Sequence, residues 1–202
     1  MSNQRISLAA AALVAATLTA CSGSVGVSGG ASSAGSPAGS SASMGASYTD
    51  NGVAFDYPTS WRLLQQTGAT SSTGGNQLWT QAVGPGQSPS SVVIVSAYQL
   101  RLDVSKVEPG QLKTEIDATL DQLAQQAGGS RVGGLQDATL GALSGYQATI
   151  NAQSPSGQSV QSRVVFGFDR DIEYYVNCQY EPDARTPILN GCDAIQGTFA
   201  VT

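Results

Sequence analysis

Residues 91–127, SVVIVSAYQLRLDVSKVEPGQLKTEIDATLDQLAQQA, change from a strand pattern to a helix pattern. The first third is rich in Val and Ile and predicts the strongest strand of the chain, over 91–102. From Pro109 onward the apolar residues recur at intervals of four, four, three and four, which places them on one face of a helix that ends at the glycines 128–129. These apolar residues are Leu112, Ile116, Leu120, Leu123 and Ala127.

Shorter alternating runs on both sides of this stretch predict further strands and a second helix. The predicted strands are 51–57, 61–66, 77–83, 131–140, 144–152, 159–168, 172–180 and 198–201. A Pro-Thr-Ser break separates the first two, which we expect to form a hairpin. The second helix is predicted from Asp183 or Thr186 to Gln196. The chain is therefore predicted to have an α+β fold, a mainly antiparallel sheet flanked by helices.

Residues 1–20 have the three parts of a secretory signal peptide, namely a positive charge at Arg5, an apolar stretch over 6–17 and a small-residue ending. The ending Leu18-Thr19-Ala20-Cys21 resembles the lipobox of bacterial lipoproteins, in which the cysteine is lipidated and the chain is cut just before it. We therefore expect an extracytoplasmic protein anchored to the cell membrane by lipid on Cys21. The alternative is an ordinary secretory signal in which Cys21 is incidental.

The residues that follow Cys21, 22–47, consist almost entirely of Ser, Gly and Ala. Such a segment buries too little apolar surface to offset its ordering entropy, so 21–47 is predicted to be a lipidated cysteine followed by a disordered linker. A Gly/Ser chain of this length spans about 30 Å. It can serve as a plain tether or as an O-glycosylated stalk. The folded domain is predicted to be 48–202.

Charge and cysteine usage limit the possible partners. The net charge of −5, without any basic run, argues against nucleic acid and against adsorption to anionic lipid headgroups. Of three cysteines, Cys21 is used by the anchor, and Cys178 and Cys192 remain as a pair in an oxidising compartment. We therefore expect a Cys178–Cys192 disulfide. The spacing is not the Cys-x-x-Cys of a redox-active pair.

Most familiar catalytic chemistry is missing from the sequence. The chain has no histidine, which excludes Ser-His-Asp and Cys-His catalysis and any His-ligated metal site. Lys106 and Lys113 are the only lysines for a Ser-Lys pair, and one is predicted in a loop and the other on the exposed helix face. We therefore expect no enzymatic activity, no cofactor and no metal.

Four features have both a functional and a structural interpretation. Asp169, Asp171 and Glu173 form either a weak calcium site or a charged hairpin turn, and they lack the later Gly and Glu of a calcium loop. Asp56 is either a ligand group or an exposed strand residue. Trp61 and Trp79 either line a groove or belong to the core, and the core interpretation is favoured for Trp61.

Three segments resemble the PsbP/Mog1-like proteins. Residues 52–58, GVAFDYP, followed by Trp61, are similar to the opening motif of that family. Two further segments are similar to that family. One is the Val-rich strand that leads into the amphipathic helix. The other is the Tyr-rich strand that is followed by a helix and a final strand. The resemblance covers nearly the whole domain, and actinobacterial lipoproteins of the LpqN/LpqT type look like this chain and have the same plan of anchor and linker. It implies an α/β/α sandwich, a binding or assembly role and no catalytic residue.

Two functions remain open from the sequence. The first is a non-enzymatic module that binds another envelope protein, and the second is a carrier of an apolar, lipid-like ligand. An open apolar patch on a packed core is typical of the first, and an enclosed apolar pocket is typical of the second. The sequence does not distinguish them, because both need the same inward-facing residues.

Overall fold

A computed structural model describes residues 44–64, 76–86, 88, 90–154 and 157–202. The strands in this part of the chain are β1 (Met44–Asp50), β2 (Val53–Pro58), β3 (Arg62–Leu64), β4 (Asn76–Gly84), β5 (Val92–Gln99), β6 (Ser130–Leu140), β7 (Leu143–Gln153), β8 (Ser159–Asp169), β9 (Ile172–Tyr180) and β10 (Ala200–Val201). The helices are α1 (Pro109–Gln126) and α2 (Arg185–Thr198), each preceded by a single 3-10 turn, at Val104–Lys106 and Pro182–Ala184. The predicted α+β class is confirmed.

The strands form a large and a small antiparallel sheet. The large sheet has the order β3-β4-β5-β9-β8-β7-β6, and the small one has the order β1-β2-β10. Strands β6 to β9 follow one another as a meander, so each pairs with its neighbour in sequence. The connection from β5 to β6, which contains α1, carries the chain to the far edge and leaves β9 beside β5.

Each face of the large sheet packs against a different layer. On one face, α2 and the small sheet cover an apolar cluster that we call the α2-side core, which includes Phe55, Val93, Val176, Ile188 and Ile195. On the other face, α1 covers the α1-side core, which includes Leu112, Ile116, Leu120, Ile150, Val164 and Phe166. The sheet is therefore buried between two layers.

Helix α1 agrees closely with its prediction. It begins at Pro109, and its buried residues include Leu112, Ile116, Leu120 and Leu123, which are four of the five predicted apolar positions. Gly128 follows the helix with a φ of 65°, a left-handed conformation that glycine adopts easily. The apolar period and its stop signal therefore set both the face and the end of this helix.

The predicted hairpin between 51–57 and 61–66 is wrong. Strand β2 pairs with β1 and β10, whereas β3 pairs with β4. The turn that starts β2 is Asn51-Gly52, and both residues have positive φ, as in a type I′ hairpin. Because this hairpin needs a strand before the turn, β1 begins at Met44, four residues before the predicted start of the folded domain.

The predicted signal peptide, Cys21 and the linker up to residue 43 lie outside the described residues. Among the residues that are described, neither helix combines the length and the apolar character needed to span a bilayer.

Candidate functional site

An open groove of about 890 Å³ lies on the α1 side of the large sheet. One wall is formed by the 3-10 turn at Val104–Lys106 and by Pro109 and Leu112 at the start of α1. Tyr146 of β7 and Phe168 of β8 form the floor, and the hairpin of β6 and β7 forms the far side. The groove exists because α1 packs mainly against β6 and β7 and leaves the hairpin end of these strands uncovered.

The near wall is shaped by a capped turn. The Oδ1 atom of Asp103 accepts hydrogen bonds from the backbone N–H of Ser105 at 3.0 Å and from its hydroxyl at 2.6 Å. The ammonium of Lys106 lies 3.3 Å from Oδ2 of Asp103. The Ser105 hydroxyl hydrogen bond is the main cause that lowers the pKa of Asp103. The side chain is therefore ionised at neutral pH and acts as an N-cap acceptor.

The same wall is attached to the turn between β8 and β9. The backbone N–H of Leu100 donates to the carbonyl of Asp171 at 2.7 Å, and that of Val104 donates to the carbonyl of Arg170 at 2.7 Å. The side-chain amide of Gln99 also donates to Oδ2 of Asp171 at 2.8 Å. The wall therefore rests on a few hydrogen bonds and on the buried side chain of Val104.

The floor is apolar and the rim is polar. The rings of Tyr146 and Phe168 are partly buried, while Asp137, Ser144 and Arg170 at the edge are exposed. Burial raises the pKa of Tyr146, and the negative charge of Asp137 adds to this effect. The phenol is therefore a neutral hydrogen-bond donor at pH 7. Such a surface can accept an apolar side chain while the rim binds polar groups around it.

Glu173 lies fully buried near this groove, on the α1 side of β9. It is directly opposite Tyr98 of β5 and Phe168 of β8. Neither of its carboxyl oxygens has a hydrogen-bond partner, and its exposure is 0%. Burial raises the pKa of Glu173 to about 8. The carboxyl is therefore mostly protonated at pH 7, which avoids the large cost of burying an unpaired charge.

The charged hairpin turn predicted from Asp169, Asp171 and Glu173 is correct only in part. Asp171 is exposed and Asp169 is half-buried beside Arg170, but Glu173 faces the α1-side core. Glu173 is not part of the exposed turn because β9 is the middle strand, so both of its faces are covered. Within the described ranges, no three His, Cys, Asp or Glu side chains converge on a position that could hold a metal.

The remaining candidates from the sequence have structural roles. Asp56 is half-buried, and its Oδ1 atom accepts a hydrogen bond from the Ser47 hydroxyl at 2.6 Å. Trp61 is 7% exposed and lies in the α2-side core against Gly191, which confirms the core interpretation. Trp79 is partly exposed and packs at the margin of the same core. None of these residues lines the groove.

The predicted disulfide is present. Cys178 of β9 and Cys192 of α2 are bonded, with their Cα atoms 6.0 Å apart. Both residues are fully buried. The bond fixes α2 onto the middle strand of the large sheet, and its burial is typical of a structural disulfide.

The chain matches no protein-family model and no curated protein. Among solved structures, the PsbP protein of the cyanobacterium Synechocystis sp. PCC 6803 (CyanoP) aligns over 85% of this chain and 98% of its own length, with a TM-score of 0.55 and 14% identity. The chain has a PsbP-like fold. This confirms the fold implied by the resemblance.

Two other solved structures align less closely. LpqN of Mycobacterium tuberculosis, described as involved in cell envelope biogenesis, aligns over 82% of this chain and 87% of its own length, with a TM-score of 0.47 and 15% identity. A protein of Bacteroides thetaiotaomicron aligns over 75% of this chain with a TM-score of 0.46 and 7% identity. This chain spans 45% of the length of the Bacteroides protein.

Proposed function

We propose that the folded domain is a non-enzymatic binding module that docks another protein of the cell envelope in the groove between the Val104–Lys106 turn and the hairpin of β6 and β7. The observation that carries this proposal is the open shape of the groove, with Tyr146 and Phe168 on its floor and a polar rim. Protein interfaces combine an apolar centre with a polar rim. A carrier of a lipid-like ligand needs a pocket that encloses most of the ligand, so the open groove favours docking.

The chemistry of the groove supports a binding role over catalysis. The chain has no histidine, and Lys106 is paired with Asp103 at the outside of the wall. Asp137 and Arg170 are exposed on the rim, where water screens their charges. General acid–base catalysis most often uses histidine, so a chain without histidine fits a binding role better than a catalytic one.

The proposed place of action is the outer surface of the cell membrane, to which the protein is tethered by lipid on Cys21. The lipobox-like ending of the first 21 residues and the Gly/Ser linker support this location. The buried Cys178–Cys192 disulfide is compatible with folding in an oxidising compartment.

Site-specific photo-cross-linking in intact cells tests the docking site. A benzophenone amino acid replaces Ser144, which is exposed on the rim, in the full chain expressed in its own host. The matched control carries the same group at Leu63 of β3, which is 47% exposed at the opposite edge of the large sheet. We expect a light-dependent protein adduct of one defined mass from position 144 and none from position 63.

Two results would overturn the proposal. Equal protein adducts from both positions would show that the cross-links arise from random collisions. The absence of a protein adduct from position 144 would show that no protein binds in the groove. A lipid adduct from position 144 would instead favour the carrier function. Mass spectrometry of the cross-linked peptide distinguishes these outcomes.

A further inference from the structure

The buried carboxyl of Glu173 lies behind the groove floor. It does not line the groove, yet its opposite neighbour Phe168 forms the groove floor. A buried carboxyl without a hydrogen bond is costly in its ionised form. Its surroundings therefore determine what happens when it loses its proton.

The groups that face Glu173 are uncharged. The phenols of Tyr98 and Tyr175 interact with it electrostatically, and burial raises the pKa of both. The buried residues of the α1-side core contributed by the connection after β5 and by α1 are all apolar, namely Leu100, Val104, Leu112, Ile116, Leu120, Leu123 and Ala124. The charged residues of the connection and of the β8–β9 turn are exposed or half-exposed, namely Arg101, Asp103, Lys106, Asp169, Arg170 and Asp171.

The connection over 100–107 runs beside the start of β9 and is held there by few hydrogen bonds. Apart from one 3-10 turn, it has no regular structure, and two backbone hydrogen bonds from Leu100 and Val104 attach it to the turn between β8 and β9. Strands and long helices open at a much higher free energy than such segments. We therefore expect this connection to open before the strands and helices do, if the ionised carboxyl needs contact with water.

We propose that Glu173 is a protonation switch for the groove: the protonated carboxyl keeps the connection over 100–107 closed on the sheet, and loss of the proton lets the connection detach. Because the Val104–Lys106 turn is a wall of the groove, detachment widens the groove. The biological meaning of this switch rests on the proposed docking function, but the switch itself is a property of the isolated chain.

The sign of the effect follows from proton linkage. The carboxyl has an ordinary pKa of 4.5 when it is exposed and a pKa of about 8 when it is buried. Between these values the closed form binds more protons than the open form, so the open population rises as the pH rises, by up to about tenfold per pH unit. Below pH 4.5 and above pH 8 this dependence levels off.

Hydrogen–deuterium exchange of the full chain at pH 5 and pH 8, corrected for the intrinsic exchange rate, tests the switch. We expect the protection of the Leu100 and Val104 amides to fall at least about tenfold between these pH values. In Glu173→Gln, which cannot ionise, the fall should be less than about twofold. The control Glu181→Gln removes a half-buried carboxyl outside the α1-side core and should behave as the wild type.

Three outcomes would overturn the switch. They are an unchanged protection of the connection in the wild type, an equal fall in Glu173→Gln, and a protection of the Leu100 and Val104 amides at pH 8 as high as that of the amides of β7 and β8. The last comparison uses the wild type alone, so it remains decisive if Glu173→Gln does not fold. Since no partner is present, the exchange result can fail while the cross-linking at position 144 succeeds, and the reverse also holds.

Discussion

Gly191 shows how one residue fixes the packing between two distant parts of the sequence. It lies in α2 against the ring of Trp61, and an added Cβ atom would clash with Cη2 of that ring. Glycine inside a helix costs about 1 kcal/mol relative to alanine. Glycine is nevertheless suitable at this position, because a larger residue would collide with the buried ring of Trp61.

We predict that Gly191→Ala lowers the free energy of unfolding by about 1–2 kcal/mol, because overpacking exceeds the gain in helix propensity. The matched control is Gly197→Ala in the same helix, where an added Cβ atom meets nothing within 4 Å. The control should be neutral or stabilising by up to about 1 kcal/mol. Urea denaturation of both variants measures the difference, and equal stabilities would contradict the close packing.

At the scale of elements, helix α2 depends on a covalent bond as well as on packing. Its residues Ile188 and Ile195 are fully buried in the α2-side core, and Cys192 on the same helix is bonded to Cys178 of β9. The two cysteines are 14 positions apart in sequence. The bond therefore closes a short loop that contains the turn after β9 and the first half of α2.

We predict that replacing both cysteines by alanine lowers the free energy of unfolding by about 3 kcal/mol, the chain-entropy value for a loop of this length. Urea denaturation of the double variant and of the oxidised wild type measures this change. A thiol assay on the native oxidised protein should detect neither Cys178 nor Cys192 before reduction. A reactive thiol there, or an unchanged stability of the double variant, would contradict a structural disulfide.

Elements with local signals could be predicted well from the sequence. The period of α1 and the turn residues between 131 and 180 predicted the helix and the meander to within a few residues. The pairing of β1 with β2 was missed, although Asn51-Gly52 is a strong hairpin signal, because the preceding Met-Gly-Ala-Ser segment has the composition of the linker. The prediction of the domain start therefore followed the local composition, although the Asn51-Gly52 turn was the better signal.

At the scale of the whole molecule, the site could not be predicted because it depends on the order of the strands. Glu173 is buried because β9 lies in the middle of the sheet beside β5, a pairing between distant parts of the sequence. Tyr146 and Phe168 resemble ordinary inward-facing strand residues. They become a groove floor because β6 and β7, each 11 residues long, extend beyond the start of α1.

The central claim, that the groove binds a protein, is tested most directly by titrating the partner identified by cross-linking against the Tyr146→Ala chain. We predict that its dissociation constant rises at least about tenfold, which corresponds to about 1.4 kcal/mol, because an aromatic anchor is lost from the centre of the interface. Leu63→Ala, at the opposite edge of the large sheet, should change it less than about twofold. An unchanged affinity of Tyr146→Ala for a correctly folded chain would contradict docking in the groove.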